Sequence, residues 1–451
     1  MILQALTAYY RRMAEEKGGV APEGFEKKEI PFLIVLNRQG EFMSLQDTRE
    51  QVGRKKQGRM FTVPKGEKKT SGIKSNLFWD TPNYVLGCPK REQGKNEEKL
   101  AARASEQHQA FLDKLQEIFP DASMDEGVNA VVLFLKRKDF NSLFEHEHWR
   151  EIEENSPNIT FRLVDDACLI CQRPAVTKVI AGGANQTNTL QICLISGEPD
   201  EPVQLHTAIK GVRGAQSSGA NIVSFNLPAF CSFGNEQGFN APVGKRSEFA
   251  YTTALNHLLG KNSRQKLQVG DATTVFWGKR KNPLEDLFAD LFGEPAKENP
   301  DQLCQAVRAL FAAPRSGAPP LDEDYTPFFV LGLAPNAARI AVRFWHFGTV
   351  GETARHIRQH FDDCAVTHGP NQPDHLSLFR LLTSMAALGK VENIQPNLAG
   401  DFMKAILSGS PYQQTLLSAA VRRARAERQV TYARAALIKG ILTRETRFRD
   451  Y

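Results

Sequence analysis

Apolar residues recur at helical spacing through the opening stretch MILQALTAYYRRM, which predicts an amphipathic helix at the start of the chain. Residues 30–36 (IPFLIVL) form a compact, branched, apolar run that reads as a buried strand. From 95 to 119, Leu100, Ala104, Phe111, Leu115 and Ile118 fall on one face, predicting an amphipathic helix that Pro120 ends. Residues 128–135 (VNAVVLFL) read as a second buried strand and 159–163 as a third. Strand-like fragments follow at 221–225 and 272–277, with helical patterns at 247–259 and at 301–312, the latter inside a linker over 294–320. Beyond the apolar run at 328–333 the pattern is almost entirely helical. The fold expected is α+β: a mixed-sheet N-terminal half with inserted helices, then an all-helical C-terminal part. The expected domains are 1–165, 166–293 and 294–451.

Composition narrows the class. The 451 residues exceed one compact core, and 41% hydrophobic with 24% charged residues is ordinary for a globular protein. No apolar run reaches the roughly 20 residues of a membrane span, and the N-terminus lacks the long apolar stretch of a signal peptide. Seven scattered cysteines, an odd number, suit a reducing interior, so a cytoplasmic location is expected. A net charge of +6 is too small for uniform nucleic-acid binding and directs attention to local patches.

The strongest patch lies in residues 53–90. In its first half Arg54, Lys55, Lys56, Arg59, Lys65, Lys68, Lys69 and Lys74 face one acid, Glu67, in a Gly-punctuated stretch without apolar periodicity. Thr70, Ser71, Gly72, Ser75 and Asn76 are small and polar, and an aromatic segment around Phe78, Trp79 and Tyr84 anchors the far side. Such a loop suits a polyanion: cations neutralise phosphate, and small residues let backbone approach a groove. A solvated charged loop is the alternative. The last 40 residues hold a further excess of arginine, read as a second phosphate-tracking face.

Catalytic patterns are sparse. There is no phosphate-binding Gly-x-x-x-x-Gly-Lys loop and no Gly-x-Ser-x-Gly elbow. His356 and His360, on one predicted helical face near Asp363, suggest a metal-dependent nuclease as an alternative function. Cys168-Leu-Ile-Cys171 and Cys193-Leu-Ile-Ser196 form a near-repeat. Cys168, Cys171 and Cys193 are candidate zinc ligands, but Ser196 replaces the fourth thiol, so a metal-free pair of ribbon-like hairpins is expected.

Several stretches in order along the chain resemble one family. They are SGIKSNLFWDTPNYVLG (71–87), EQGFNAPVG with FAYTTALNHLL (236–259), GDATTVFW (270–277), FFVLGLAPNAARIAVRFW (328–345), a long helical run over 392–427, and ARAALIKG (433–440). The family is the large subunit of the type I-C CRISPR Cascade. The resemblance implies a non-catalytic, cofactor-free subunit of an RNA-guided complex. It implies recognition of a short duplex motif beside the target (the PAM), duplex opening and retention of the displaced strand. Implied partners are the guide (crRNA) ribonucleoprotein, the Cascade backbone and handle-capping subunits, small subunits, target double-stranded DNA and a helicase–nuclease. On this reading Lys74 and Asn76 are base-edge readers, with Thr70, Ser71, Gly72 and Ser75 shaping the approach. Lys55, Lys56, Arg59, Lys68 and Lys69 grip phosphate or part the strands. Gln237, Asn240 and Lys245, with Arg339 and Arg343 on one predicted helical face, are a second contact to DNA or a neighbouring subunit. An assembly subunit that touches only guide RNA is a further alternative. Members of the family usually continue into a helical segment resembling the small subunit. The end at Tyr451 implies a shortened form, or one whose segment is supplied by separate chains.

Overall fold

A computed structural model of the chain describes residues 1–16, 20–52, 55–67, 69, 72–90, 96–182, 190–293, 299, 301–311 and 324–449. Contacts divide it into two compact units: Gly18–Asn188, and Met1–Lys17 together with Thr189–Tyr451. The fold is α+β, with sheets first and helices dominating the C-terminal part.

The Gly18–Asn188 unit holds strands β1 (Phe25–Glu29), β2 (Phe32–Leu36), β3 (Phe42–Asp47), β4 (Glu50–Val52), β5 (Lys55–Gln57), β6 (Met60–Pro64), β7 (Trp79–Asp80) and β8 (Ile159–Leu163). Its main sheet has the order β3-β2-β8-β7, with β2 and β8 parallel and the outer pairs antiparallel. Central β2 is buried at all five positions, as the 30–36 run predicts. β1 pairs with β6, and β4 with β5, in two short antiparallel ribbons beside this sheet. The long β2-to-β8 connection contains the basic loop and several helices, two of them longer than ten residues. Helix Glu97–Ile118 starts at Asn96, whose side chain accepts from Lys99 N, and packs Phe111 and Leu115 inward. The second is a correction: residues 128–135 are not a strand but part of helix Glu126–Arg137. Asp125 caps it, accepting from Gly127 N at 2.8 Å and Val128 N at 3.2 Å. Val128, Ala130, Val131, Val132, Phe134 and Leu135 are all buried, so the helix has too little polar face to show its period.

The other unit contains hairpin strands β9 (Gln191–Ile192) and β10 (Pro199–Asp200). Its four-stranded antiparallel sheet runs β11 (Lys266–Val269), β12 (Ala272–Gly278), β13 (Pro327–Asn336), β14 (Arg339–Thr349), in that spatial order. Residues 221–225, expected as a strand, make only an isolated bridge at Asn221. The helical pattern expected just past 333 begins only at Val350, because β14 intervenes. One sheet face, with Phe276, Phe328, Val330 and Phe344, packs into a core shared with helices Pro283–Phe292, Val350–Cys364, Leu378–Met385, Pro396–Ser408 and Tyr432–Arg449. Helix Ile2–Glu15 belongs to this unit. Its Arg12 forks onto Glu285 at 2.7 and 2.9 Å, and Tyr9 donates to Gln265 at 2.6 Å.

A candidate nucleic-acid interface

The basic loop is tied down at its two stems. On the incoming side, Trp79 Nε1 donates to Pro64 O at 2.7 Å, and Asn76 Oδ1 accepts from Glu67 N at 2.9 Å. On the outgoing side Asp80, 1% exposed, takes Lys69 Nζ at 2.6 and 2.7 Å while also accepting from Asn76 N at 2.9 Å and Thr81 N at 2.8 Å. Lys69 Nζ also lies 3.7 Å from the Tyr84 ring centroid, where the π face adds to the attraction. Lys114, from helix Glu97–Ile118, bonds Glu67 at 2.7 Å and Ser75 O at 2.9 Å. Phe78, fully buried, sits at φ 62°, a left-handed backbone that costs a bulky residue energy and that this web of contacts holds in place.

This geometry sorts the expected readers. Ser75 and Asn76 are buried, and Ser75 Oγ donates to Ala110 O at 3.1 Å, so both side chains serve the loop's internal structure. Lys74 is exposed, and Gly72 at φ 71° has open space where a Cβ would stand. Lys56 and Arg59 are exposed on and beside β5, with Arg59 5.6 Å from the Phe61 ring. Lys56, Arg59 and Lys74 make no ion pair among the described residues. Lys69 is committed to Asp80. Lys68, Thr70 and Ser71 lie outside the described residues, as does the side chain of Lys55. Asp80 and Lys114, which organise the loop, are missing from the sequence-based set. The Asp-Thr-Pro helix start at 80–82 was the available signal for Asp80.

The second expected contact set is internally bonded. Asn240 knits its turn, accepting from Ser232 N at 2.9 Å and donating to Gln237 O at 3.0 Å and Asn235 O at 3.1 Å. Gln237 has φ 46°, and its buried Oε1 has no partner among the described residues. Lys245 Nζ pairs with Glu201 at 2.6 Å. Arg339 and Arg343 do not share a helical face: both lie on β14. Leu333 pairs with Val342 and Gly332 with Phe344, so Arg343 is the extra residue of a bulge. Arg339 bonds Asn226 and lies 4.5 Å from the Phe230 ring, while Arg343 binds Asp271 at 2.8 Å.

The nuclease trio is likewise absorbed into packing. His356 Nδ1 meets Leu407 O at 2.8 Å, and His360 Nδ1 meets the Tyr412 hydroxyl at 2.8 Å. Burial, reinforced by Arg444, drives His360 down to about 3. Both Asp363 oxygens are held, by Arg444 at 3.1 Å and Arg447 at 2.7 Å. The C-terminal arginines are therefore no uniform phosphate face: Arg434 and Arg444 are buried, and Arg423, Arg447 and Arg449 are ion-paired.

The cysteine near-repeat does not form two hairpins. Cys168 and Cys171 belong to the Gly18–Asn188 unit, where Ile170–Gln172 is a short 3-10 turn leading into helix Pro174–Gly182. Burial raises the Cys171 thiol. Cys193 belongs to the other unit, at the β9–β10 hairpin. Burial raises its thiol, but hydrogen bonding with Ser247 and the backbone of Ser196 and Gly244 outweighs this and brings it to about 7. No group of three or more His, Cys, Asp or Glu able to hold a metal occurs among the described residues. No described helix is long and apolar enough to cross a membrane.

Residues 6–451 match the family described as CRISPR-associated protein (Cas_Csd1). No curated protein matches the chain.

Proposed function

The chain belongs to the Cas_Csd1 family of CRISPR-associated proteins, the large-subunit family of type I-C Cascade, and from that premise we propose that it is the non-catalytic PAM reader of its complex. The observation that supports this is the internally bonded frame of Pro64, Glu67, Lys69, Asn76, Trp79 and Asp80, beside which Lys74 is exposed without an ion partner among the described residues. Lys74 is the base-edge donor. Asn76 positions it, its Oδ1 accepting from Glu67 N and its N–H donating to Asp80, so it reads the motif indirectly. Gly72 lets backbone approach the groove, and Thr70, Ser71 and Ser75 belong to the same segment. Lys56 and Arg59, with Lys55 and Lys68, supply phosphate contacts that fix register without reading sequence. Gln237, Asn240, Lys245, Arg339 and Arg343 shape a neighbouring-subunit or DNA contact through the turns they stabilise.

In this reading, guide pairing supplies sequence specificity. The chain opens the duplex next to the motif and presents the opened DNA to the guide ribonucleoprotein, with backbone, handle-capping and small subunits around it and a helicase–nuclease docking afterwards. Cytoplasmic action follows from that assignment. Duplex binding by the reconstituted guide-RNA complex across a salt series tests it. Lys56→Ala and Arg59→Ala should weaken intact-motif and scrambled-motif duplexes alike, each lowering the salt slope by about 1. Lys74→Ala should lose motif preference as well. Unchanged binding in all three variants would falsify the loop assignment.

A further inference from the structure

A cleft of about 310 Å³ opens in the Gly18–Asn188 unit where residues 83–90, one face of helix Glu97–Ile118 and Ser156 meet. None of the duplex-contact residues named above is among its described lining residues. Pro89, Leu100 and Ala104 give it an apolar wall.

The donors in this cleft are those left over once local hydrogen bonding is complete. Gln107 is 9% exposed, and its Oε1 accepts from Asn83 Nδ2 at 2.7 Å. Asn83 Oδ1 in turn accepts from the Thr81 hydroxyl, and Thr81 N donates to Asp80 at 2.8 Å. That chain fixes which way the Gln107 amide is turned and leaves its Nε2 without a partner among the described residues. The Ser156 hydroxyl, on a residue held at φ 50° at the end of helix Trp149–Asn155, has none either. Arg103 and Lys90 are exposed and make no ion pair among the described residues. No carboxylate is among the described lining residues, and Glu153, whose charge reaches the Cys88 thiol, is already engaged.

We propose that this cleft binds a phosphate monoester. Arg103 and Lys90 neutralise the dianion, Gln107 Nε2 and Ser156 Oγ donate to its oxygens, and the apolar wall takes the group esterified to it. A monoester offers three terminal oxygens end-on, which is the approach that a largely buried amide requires. A diester within a strand carries a sugar on either side of phosphorus and stays at the rim. The Asn83–Thr81–Asp80 chain presets the amide, so no donor has to be turned when the anion enters. A free nucleotide and the 5′-phosphate of a strand share this chemistry.

The test is equilibrium dialysis of the full chain against radiolabelled inorganic phosphate at fixed ionic strength. Wild type should take up phosphate at a single saturable site. Arg103→Ala should weaken uptake about tenfold, the loss of one charge-assisted hydrogen bond. Gln107→Glu keeps an acceptor for Asn83 but puts a carboxyl where the donor stood, and should abolish uptake. Lys74→Ala should bind phosphate as wild type does, which separates this cleft from the duplex reader. Displacement of the label then identifies the source. AMP displacing it where adenosine does not assigns a free nucleotide. A 5′-phosphorylated oligothymidylate acting at lower concentration than AMP, with its 5′-hydroxyl counterpart inert, assigns a strand end. Absent uptake in wild type, or equal uptake in Arg103→Ala, overturns the site, and displacement by the 5′-hydroxyl strand as strong as by the phosphorylated one overturns the monoester assignment. Arg103 is exposed, so its replacement leaves folding untouched, and urea midpoints check Gln107→Glu.

Discussion

Asp80 satisfies three donors with two oxygens: Lys69 Nζ, Asn76 N and Thr81 N. Removing it strands two backbone N–H groups and a partly buried ammonium together, so Asp80→Ala should cost about 2–4 kcal/mol in urea unfolding. A midpoint equal to wild type would show that the loop frame is not held there. His360 sets a different dependence. Its folded-state value of about 3 lies below the ordinary 6.5, because burial favours the neutral ring. The unfolded chain therefore binds the proton first as pH falls. Its contribution is fully present above about 6.5 and is lost progressively toward 3, amounting to on the order of 1–2 kcal/mol by pH 5. His346, driven to about 4 by burial and by the neighbouring charge of His356, acts in the same direction. Melting temperature should drop between pH 7 and pH 5, and less so in His360→Leu than in wild type. Equal drops in the two proteins would remove His360 as the cause.

At the scale of elements, helix Tyr432–Arg449 is locked by one buried cation and one missing side chain. Arg444, 0% exposed, bonds Asp363 at 3.1 Å, Ala405 O at 3.2 Å and Ser410 O at 3.3 Å, and lies 4.2 Å from the Tyr412 ring. Arg444→Ala leaves Asp363 in the core with one cation fewer and should cost about 3–5 kcal/mol. Gly440 lets the helix approach Val350–Cys364: a Cβ there would stand 2.7 Å from Cys364 Sγ. Gly440→Ala should destabilise by about 1–3 kcal/mol, read as a lower urea midpoint at unchanged slope. Helix Glu97–Ile118 was legible in the sequence because one face is polar and Asn96 marks its start. Helix Glu126–Arg137 was not, because burial around most of its circumference erases the period and leaves a run that a strand shares. β14 was misread for a related reason. A spacing of four places Arg339 and Arg343 together on a helix, and a bulged strand with exposed arginines shows no clean alternation.

Across the whole molecule, positive charge divides into two populations that composition alone does not separate. In the C-terminal helices Arg434, Arg444 and Arg447 are spent on Glu427 and Asp363, which turns an apparent basic face into internal structure. In the Gly18–Asn188 unit Lys56, Arg59 and Lys74 stay exposed and unpaired among the described residues, on a frame of buried Ser75, Asn76 and Asp80. The sequence disclosed the basic loop and the family. It did not disclose which loop residues point inward, because a small polar residue reads the same whether it meets a base or a backbone amide. Asn76 Oδ1 on Glu67 N and Ser75 Oγ on Ala110 O separate the two cases. The most direct measurement is the ratio of affinities of the assembled guide-RNA complex for duplexes with intact and scrambled flanking motifs, at one salt concentration, for wild type and Lys74→Ala. The account predicts that Lys74→Ala assembles normally and loses about 1–3 kcal/mol of that discrimination. A Lys74→Ala complex that still separates the two duplexes as wild type does would contradict it.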